Sequence, residues 1–268
     1  MQTVAGSFRD ADRTDDMQSL LHCLDFMNDL PVFRAYKARS WALMAPGDGG
    51  HYLDLACGTG FDAIAMARRW PGARFTGADH SARFLEVAQA RGAGMGNLAF
   101  VPASATALPF AAGEFDGARI DRALQHIEGP QAVLAGMARC TRSGGVVVAC
   151  EPDWASFVLD SGQEAADRAL AARWVGLFRN PRIGADLPAL FPAAGIAPEV
   201  AEVTRLDLTR LAEASVVFDL PRLLAGSVTA GLLSAAEAAA WQAGAEAASA
   251  AGRFRADLAI HTLSGRVG

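Results

Sequence analysis

Two acidic residues and a glycine turn between them are the residues of this chain best suited to bind a charged ligand. Residues 51–60 read His-Tyr-Leu-Asp-Leu-Ala-Cys-Gly-Thr-Gly, which predicts an apolar strand that carries Asp54 and enters a turn with Gly58 and Gly60. Glycines let the backbone approach a ligand closely, and the helix that follows offers free N–H groups. Asp79 ends a second predicted strand, where a carboxylate can bind both hydroxyls of a ribose. The pattern predicts a nucleotide-cofactor site.

Two classes of cofactor fit this spacing. Gly58, Gly60 and Ala63 satisfy the dinucleotide pattern Gly-x-Gly-x-x-Gly/Ala. Asp54 argues against a dinucleotide, because a carboxylate just before the loop would repel a pyrophosphate but attract an ammonium group. S-Adenosylmethionine carries both a ribose and an ammonium group. The residues therefore favour this cofactor, with S-adenosylhomocysteine as its product.

The composition narrows the class of protein. At 268 residues and 51% hydrophobic content, the chain is long enough for one α/β domain with a sizeable core. A net charge of −5, a single lysine and no basic run argue against a nucleic-acid partner. The four cysteines show no metal-ligand spacing, which predicts reduced thiols in a cytoplasmic protein and no metal site. No apolar run is long enough for a membrane span, and the first ten residues do not form an apolar signal region, so neither a membrane span nor a signal peptide is expected. We therefore expect a small-molecule substrate and no membrane partner; the oligomeric state is not predicted.

Strand and helix patterns alternate along the first part of the chain, which predicts an α/β fold with a doubly wound, mostly parallel sheet. The expected strands are 51–56, 74–78, 98–101, 115–120 and 145–151, and the expected helices are 17–30, 31–45, 60–69, 81–91 and 130–140. Helices 163–179, 185–194, 211–226 and 234–251 and strands 200–208 and 254–264 are expected to follow. Residues 1–15 are polar and are predicted to be mobile.

We expect a single domain over residues 1–268. Residues 1–45 would form a helical lid, residues 46–152 the cofactor-binding core, and residues 153–268 the substrate-side helices with the last two strands. No internal repeat or linker interrupts the chain.

Five segments, in the expected order, resemble the class I S-adenosylmethionine-dependent methyltransferases, and most of all the small-molecule branch with ubiquinone- and sterol-type enzymes. The segments are 53–60, 77–81, 103–110, 115–126 and 139–148. The resemblance covers residues 35–152 and extends beyond them only through topology. It implies a Rossmann-like, seven-stranded sheet with an antiparallel last strand.

The resemblance implies cofactor contacts at matching positions. These positions are Asp54, Cys57, Gly58, Gly60, Asp79, His80, Ser104, Ala105, Ile120 and Asp121. Asp79 would bind the ribose and His80 would flank the adenine. Ser104 stands where the family usually has Asp, and its hydroxyl accepts a hydrogen bond more weakly than a carboxylate.

Candidate groups for the reaction itself follow the fourth and fifth strands. His126 is a candidate general base, with a helix-end histidine hydrogen-bonded to backbone as the alternative, and Glu151 is a second candidate base. Tyr36, Asp153, Trp154 and Trp174 are candidate substrate contacts. The aromatic residues favour a largely apolar acceptor, such as a secondary metabolite or a quinone-like ring. Transfer to O, N or C by in-line displacement requires mainly that the acceptor and the methyl group are held in line.

Two rival functions stay open at this point. An NAD(P)-dependent oxidoreductase shares the glycine pattern, but the chain lacks a Tyr-x-x-x-Lys pair, since its one lysine is Lys37. A non-catalytic protein that binds S-adenosylmethionine is the second rival, and the departure at Ser104 keeps it open. A nucleic-acid methyltransferase is disfavoured by the acidity of the chain and by the Ile-Asp-Arg-Ala exit from the fourth strand.

Overall fold

A seven-stranded sheet forms the centre of the molecule in a computed structural model, which describes residues 8–14 and 16–268, with residues 9 and 10 as backbone alone. The strands are β1 (His51–Leu55), β2 (Arg74–Asp79), β3 (Leu98–Pro102), β4 (Phe115–Asp121), β5 (Thr141–Asp160), β6 (Ile196–Leu208) and β7 (Arg255–Val267). Their order is β3-β2-β1-β4-β5-β7-β6. β7 runs antiparallel to β5 and β6, and the other neighbours are parallel. The predicted doubly wound sheet with an antiparallel last strand is confirmed.

Helices cover both faces of this sheet. They are α1 (Met17–Asp29), α2 (Pro31–Leu43), α3 (Phe61–Arg69), α4 (Ala82–Arg91), α5 (Pro130–Cys140), α6 (Glu164–Val175), α7 (Ile183–Ala193), α8 (Leu211–Val217), α9 (Leu220–Thr229) and α10 (Ala235–Ala250). Across the part of the chain that the structure describes, none of these helices combines the length and hydropathy needed to cross a bilayer.

The alternation of side chains along β5 shows why both faces need helices. Val146 and Val148 are buried in one hydrophobic cluster, while Val147 and Ala149 are buried in the other. Successive residues of a strand point to opposite faces, so a strand that is apolar throughout must be covered twice.

The structure differs from the prediction near the start of the chain and in its second half. Phe8–Arg13 forms a short 3₁₀ helix within the segment predicted to be mobile, and the rest of that prediction falls partly on residues outside the described ones. The single helix predicted over 211–226 is two helices, with a break at Asp219, whose φ is +45°. Pro221 lies in the first turn of the second helix, where a missing N–H is tolerated, whereas inside a continuous helix it would remove a hydrogen bond.

β5 is much longer than the predicted strand 145–151, because it begins at Thr141 and continues through Pro152, Asp153 and Trp154 to Asp160. β4 pairs with β5 only as far as Cys150, while β7 continues to pair beyond it through Pro152 and Asp153. Pro152 is therefore on a strand edge that lacks a β4 partner, where its missing N–H costs no ladder bond on that side.

Candidate active site

The glycine turn joins β1 to α3, and its two glycines have different surroundings. Both have positive φ, +53° at Gly58 and +77° at Gly60. A Cβ on Gly60 would lie 2.7 Å from the Phe100 ring and 2.9 Å from the Cβ of Ala88. A Cβ on Gly58 would meet no atom within 4 Å, and Gly58 lines a cavity. Gly60 thus allows close packing, and Gly58 leaves space for a ligand.

Replacing Gly60 by alanine is expected to lower the free energy of unfolding by about 2 kcal/mol, because a left-handed φ and an overpacked contact add their costs. Gly58→Ala is the matched control with a similar φ and open space, and about 1 kcal/mol is expected for it. Urea denaturation followed by circular dichroism measures both. Equal losses in the two variants would contradict the packing role of Gly60.

Asp79 ties the end of β2 to the glycine turn. Its carboxylate accepts hydrogen bonds from the backbone N–H groups of Gly58 (2.8 Å) and Ser81 (2.9 Å), and it lies 3.4 Å from Nδ1 of His80. Two oxygens offer about four acceptor positions, so the carboxylate can accept further hydrogen bonds from a ligand. Asp79 therefore holds the glycine turn in place and can also bind a ligand.

A cavity of about 430 Å³ opens beside Asp79 at the carboxyl ends of the central strands. Its lining includes six of the predicted cofactor positions: Gly58, Asp79, His80, Ser104, Ala105 and Asp121. Asp54, Cys57, Gly60 and Ile120 are not part of the lining; Asp54 and Ile120 are buried, at 2% and 0% exposure. The structure thus brings together the predicted residues of the turn, the β2 end, the β3 exit and the β4 end.

Asp54 has a partner that the sequence did not reveal. Nη1 of Arg119, on the neighbouring β4, lies 3.0 Å from Oδ1 of Asp54, and Oδ2 is buried without a hydrogen-bond partner among the described residues. Burial raises the pKa of Asp54 to about 7, although Arg119 acts to lower it. A guanidinium therefore pairs with Asp54 and compensates part of its negative charge.

Asp121 connects this ion pair to helix α2. Its carboxylate lies 3.0 Å from Nη2 of Arg119 and 3.1 Å from Nζ of Lys37, and it accepts a hydrogen bond from the hydroxyl of Tyr36 at 3.2 Å. Burial opposes ionisation of Asp121, but Lys37 and Arg119 outweigh it and hold its pKa below the ordinary value. Lys37 also pairs with Asp62 of α3. The single lysine thus joins α2 to the sheet, and Tyr36 contacts Asp121 rather than either cavity.

Glu151 is completely buried and faces backbone. Its carboxylate accepts hydrogen bonds from the N–H groups of three consecutive residues, Ala123 (2.9 Å), Leu124 (2.7 Å) and Gln125 (3.3 Å). Burial raises its pKa to about 8, against the opposing effect of these hydrogen bonds. Glu151, the second candidate group for the reaction, thus lines neither cavity and instead shapes the loop after β4.

A smaller cavity of about 60 Å³ adjoins the first and is largely aromatic. Trp154 stacks on Phe178 with ring centroids 4.1 Å apart, and its Nε1 donates to Oε1 of Gln125 at 2.6 Å. Trp174 and Phe218 complete the wall. The predicted contacts Trp154 and Trp174 are therefore on one cavity.

Asp153 and His126 have different placements. Asp153 is absent from both linings, and its carboxylate accepts a hydrogen bond from the N–H of Ala155 at 3.1 Å. His126 lines both cavities, with its ring centroid 5.5 Å from that of Phe178. His126 is thus at the boundary between the two cavities.

Sequence reasoning missed several residues of the site. Phe8, Gln125 and Arg122 line both cavities, and the buried Arg119 pairs with Asp121 of the larger cavity. Arg122 had a usable signal, since it directly follows Asp121 at the strand exit. Phe8 had none, because nothing in a short polar segment indicates that it folds back over the sheet.

Comparisons with known proteins agree with this geometry. A family model described as a methyltransferase domain matches residues 53–145. An uncharacterised 37.1 kDa protein in a transposon of Streptomyces fradiae is 33% identical over 81% of this chain and 64% of its own length. A demethylmenaquinone methyltransferase of Clavibacter sepedonicus is 40% identical over 40% of this chain and 43% of its own. The chain thus spans less than two thirds of either relative.

A solved structure shows the same fold. A putative methyltransferase from Bacillus halodurans aligns with a TM-score of 0.63 at 15% identity, over 86% of this chain and 97% of that one. The matched segment, the sheet order and the curated relatives lead to one conclusion: residues 53–145 form a methyltransferase domain of the S-adenosylmethionine-dependent type, and the chain is similar to small-molecule methyltransferases.

Proposed function

We propose that this protein transfers a methyl group from S-adenosylmethionine to a small, flat and largely apolar molecule. The observation that carries the proposal is the shared boundary of the two cavities. The residues common to both are Phe8, Met27, Arg122, Gln125 and His126. A cofactor in the larger cavity would face an acceptor in the aromatic one across this boundary.

The residues of the larger cavity suit the parts of the cofactor. Asp79 would bind the ribose hydroxyls, with His80, Ser104 and Ala105 around the adenine. Open space above Gly58 admits the methionine part. The orphaned Oδ2 of Asp54 lies behind the lining and would reach the ammonium group through water. Asp121 would contact the cofactor from the cavity wall, and Cys57, Gly60 and Ile120 would support the site from outside the lining.

The bound cofactor supplies a methyl group already activated by a sulfonium. The protein then needs mainly to orient the acceptor and exclude water, and correct positioning alone can contribute roughly 7–11 kcal/mol at best. Trp154 and Trp174 would hold an apolar ring. His126 is proposed as the group that accepts a proton where the acceptor has one to lose, and Glu151 as a positioning residue for the loop.

The proposed lid and the proposed substrate side both contribute residues to the aromatic cavity, which supports the same proposal. The aromatic cavity takes Phe8, Cys23 and Phe33 from the proposed lid (1–45), and residues such as Trp154 from the proposed substrate side (153–268). We also propose a cytoplasmic protein of secondary metabolism. The four free cysteines support the location, and the apolar cavity supports the kind of acceptor.

Asp79→Ala is expected to weaken S-adenosylhomocysteine binding by about ten- to a hundredfold, because hydrogen bonds to a charged group contribute about 1.5–3 kcal/mol. Isothermal titration calorimetry on wild type and variant, with NAD and NADP as competing ligands, measures this. Asp116→Ala is the matched control, since Asp116 also accepts a backbone hydrogen bond, from His51 at 2.8 Å, but lines neither cavity.

Tight binding of a dinucleotide, or no binding of S-adenosylhomocysteine by wild type, would overturn the proposal. Cofactor binding without turnover of any phenol, quinol or amine in a substrate panel would favour a non-catalytic binding protein. Turnover restricted to polar amines would reject the apolar acceptor while leaving methyl transfer intact.

A further inference from the structure

Arg122 has a constrained backbone at the exit of β4. Its φ is +51°, a left-handed value that costs a non-glycine residue about 1–3 kcal/mol. The conformation is held from both sides: its N–H donates to the carbonyl of Cys150 at 2.8 Å, and its carbonyl accepts from Nε2 of Gln125 at 2.7 Å. The side chain that this backbone directs lines both cavities. A strained backbone at the boundary of the two cavities indicates that the Arg122 side chain has a function there.

The guanidinium of Arg122 has donors left over. Its Nη1 contacts the sulfur of Met27 at 3.0 Å, and sulfur is a weak acceptor. Its Nε is buried without a hydrogen-bond partner among the described residues, and Asp121 is 3.8 Å from it, beyond hydrogen-bond distance. The Asp121 carboxylate is already bound by Lys37, Arg119 and Tyr36. The ion pair with Asp121 and the Phe33 ring, 5.0 Å from the guanidinium carbon, compensate the charge but leave donors without hydrogen bonds, and an anionic ligand would accept these.

The surroundings restrict what that ligand can be. Among the described residues lining the aromatic cavity, Arg122 is the only Arg, Lys, Asp or Glu. The stacked rings of Trp154 and Phe178 favour a flat molecule. Nε1 of Trp174, 3% exposed as a residue, is a second buried donor without a partner among the described residues. The cavity therefore combines flat apolar walls with unfilled donors and one positive charge.

We propose that Arg122 binds the ionised hydroxyl of a ring-shaped acceptor, a phenolate or the equivalent anion of a quinol. This inference rests on the proposed methyl transfer and specifies its substrate class. An opposite charge within about 4–6 Å lowers an acid's pKa by about 1–3 units, so the acceptor would be held as its anion near neutral pH, with its proton released to solvent. Arg122 would then supply the electrostatic part of activation, and His126 would be needed less as a base.

The test uses 4-nitrophenol as the probe, with 4-nitroanisole as its neutral counterpart, on the full chain with S-adenosylhomocysteine present. The absorbance of the phenolate reports the pKa of the bound probe directly. We expect wild type to lower that pKa by about 1–2 units and to bind the phenol at least tenfold more tightly than the anisole. In Arg122→Met both effects should disappear. Arg122→Lys keeps the positive charge but lacks the planar guanidinium with its paired N–H donors, so part of the pKa shift of the probe should remain.

Calorimetry with S-adenosylhomocysteine on the same proteins separates the possible failures. If wild type does not bind it, the proposed function fails. If wild type and Arg122→Met bind it equally, but phenol and anisole bind alike in wild type, the inference fails alone. If Arg122→Met weakens S-adenosylhomocysteine more than tenfold but leaves 5′-methylthioadenosine unchanged, the guanidinium holds the cofactor carboxylate, and the assignment to the acceptor is overturned. If Arg122→Met does not fold, the test relies on Arg122→Lys alone. This variant must then retain part of the pKa shift of the bound 4-nitrophenol, and the absence of any shift would reject the inference.

Discussion

Arg119→Met is expected to lower the free energy of unfolding by about 3–5 kcal/mol, the usual cost of removing one partner from a buried ion pair. Arg119 is 1% exposed and is shared by Asp54 and Asp121, each 3.0 Å from one of its Nη atoms. Its Nε also donates to the hydroxyl of Ser40 at 2.7 Å. Methionine fills similar space but leaves two buried carboxylates with less positive charge around them.

The measurement is urea denaturation at neutral pH, with Arg142→Met as the control. Arg142 pairs with Asp116 at 2.6 Å on the surface, its side chain 55% exposed, so less than about 1 kcal/mol is expected there. The double variant Arg119→Met with Asp54→Asn should regain part of the lost free energy of unfolding, because it also removes one of the two buried carboxylates that lose their guanidinium partner. A loss in Arg119→Met no larger than in the control would show that the buried cluster does not hold α2 and the strand ends together.

The same ion pair shows where sequence reasoning succeeds and where it stops. Asp79 is predictable because its signals are local: a strand end, a glycine turn before it and a fixed spacing. Arg119 is 65 residues from Asp54, and the two meet because they are paired in the register of β1 and β4. Register between parallel strands depends on the packing of the whole sheet, so a charged residue inside an apolar strand gives no indication of its partner.

The aromatic cavity was only partly predictable for a related reason. Trp154 and Trp174 were suspected from residue type, but their neighbours range from Phe8 to Ile260 along the chain. The extension of β5 past Cys150 depends on β7, which lies about a hundred residues further on. Helix and strand periodicity is local and identifies the elements; the cavity walls depend on contacts between elements that are far apart in sequence.

Raising the pH from about 5.5 to about 7.5 is expected to lower the free energy of unfolding by about 2.5 kcal/mol through Glu151 alone. Burial raises its pKa to about 8, from an ordinary value of 4.5. Between these two values the folded protein keeps a proton that the unfolded chain has released. Stability therefore falls as pH rises through this window, by about 1.4 kcal/mol per pH unit for one proton. Asp54, with a pKa raised from 3.8 to about 7, adds to the fall in the lower part of the window.

Glu151→Gln isolates this contribution, because glutamine resembles the protonated carboxyl and does not titrate. The half-buried His51 and His261 have pKa values lowered by burial and act in the opposite direction, but they are common to both proteins and cancel in the difference. Urea denaturation at several pH values should give a flatter curve for the variant, with wild type losing stability relative to it as pH rises. Parallel curves would mean that Glu151 stays ionised when buried. In that case the N–H groups of residues 123–125 stabilise an ionised Glu151 carboxylate beside the boundary of the two cavities.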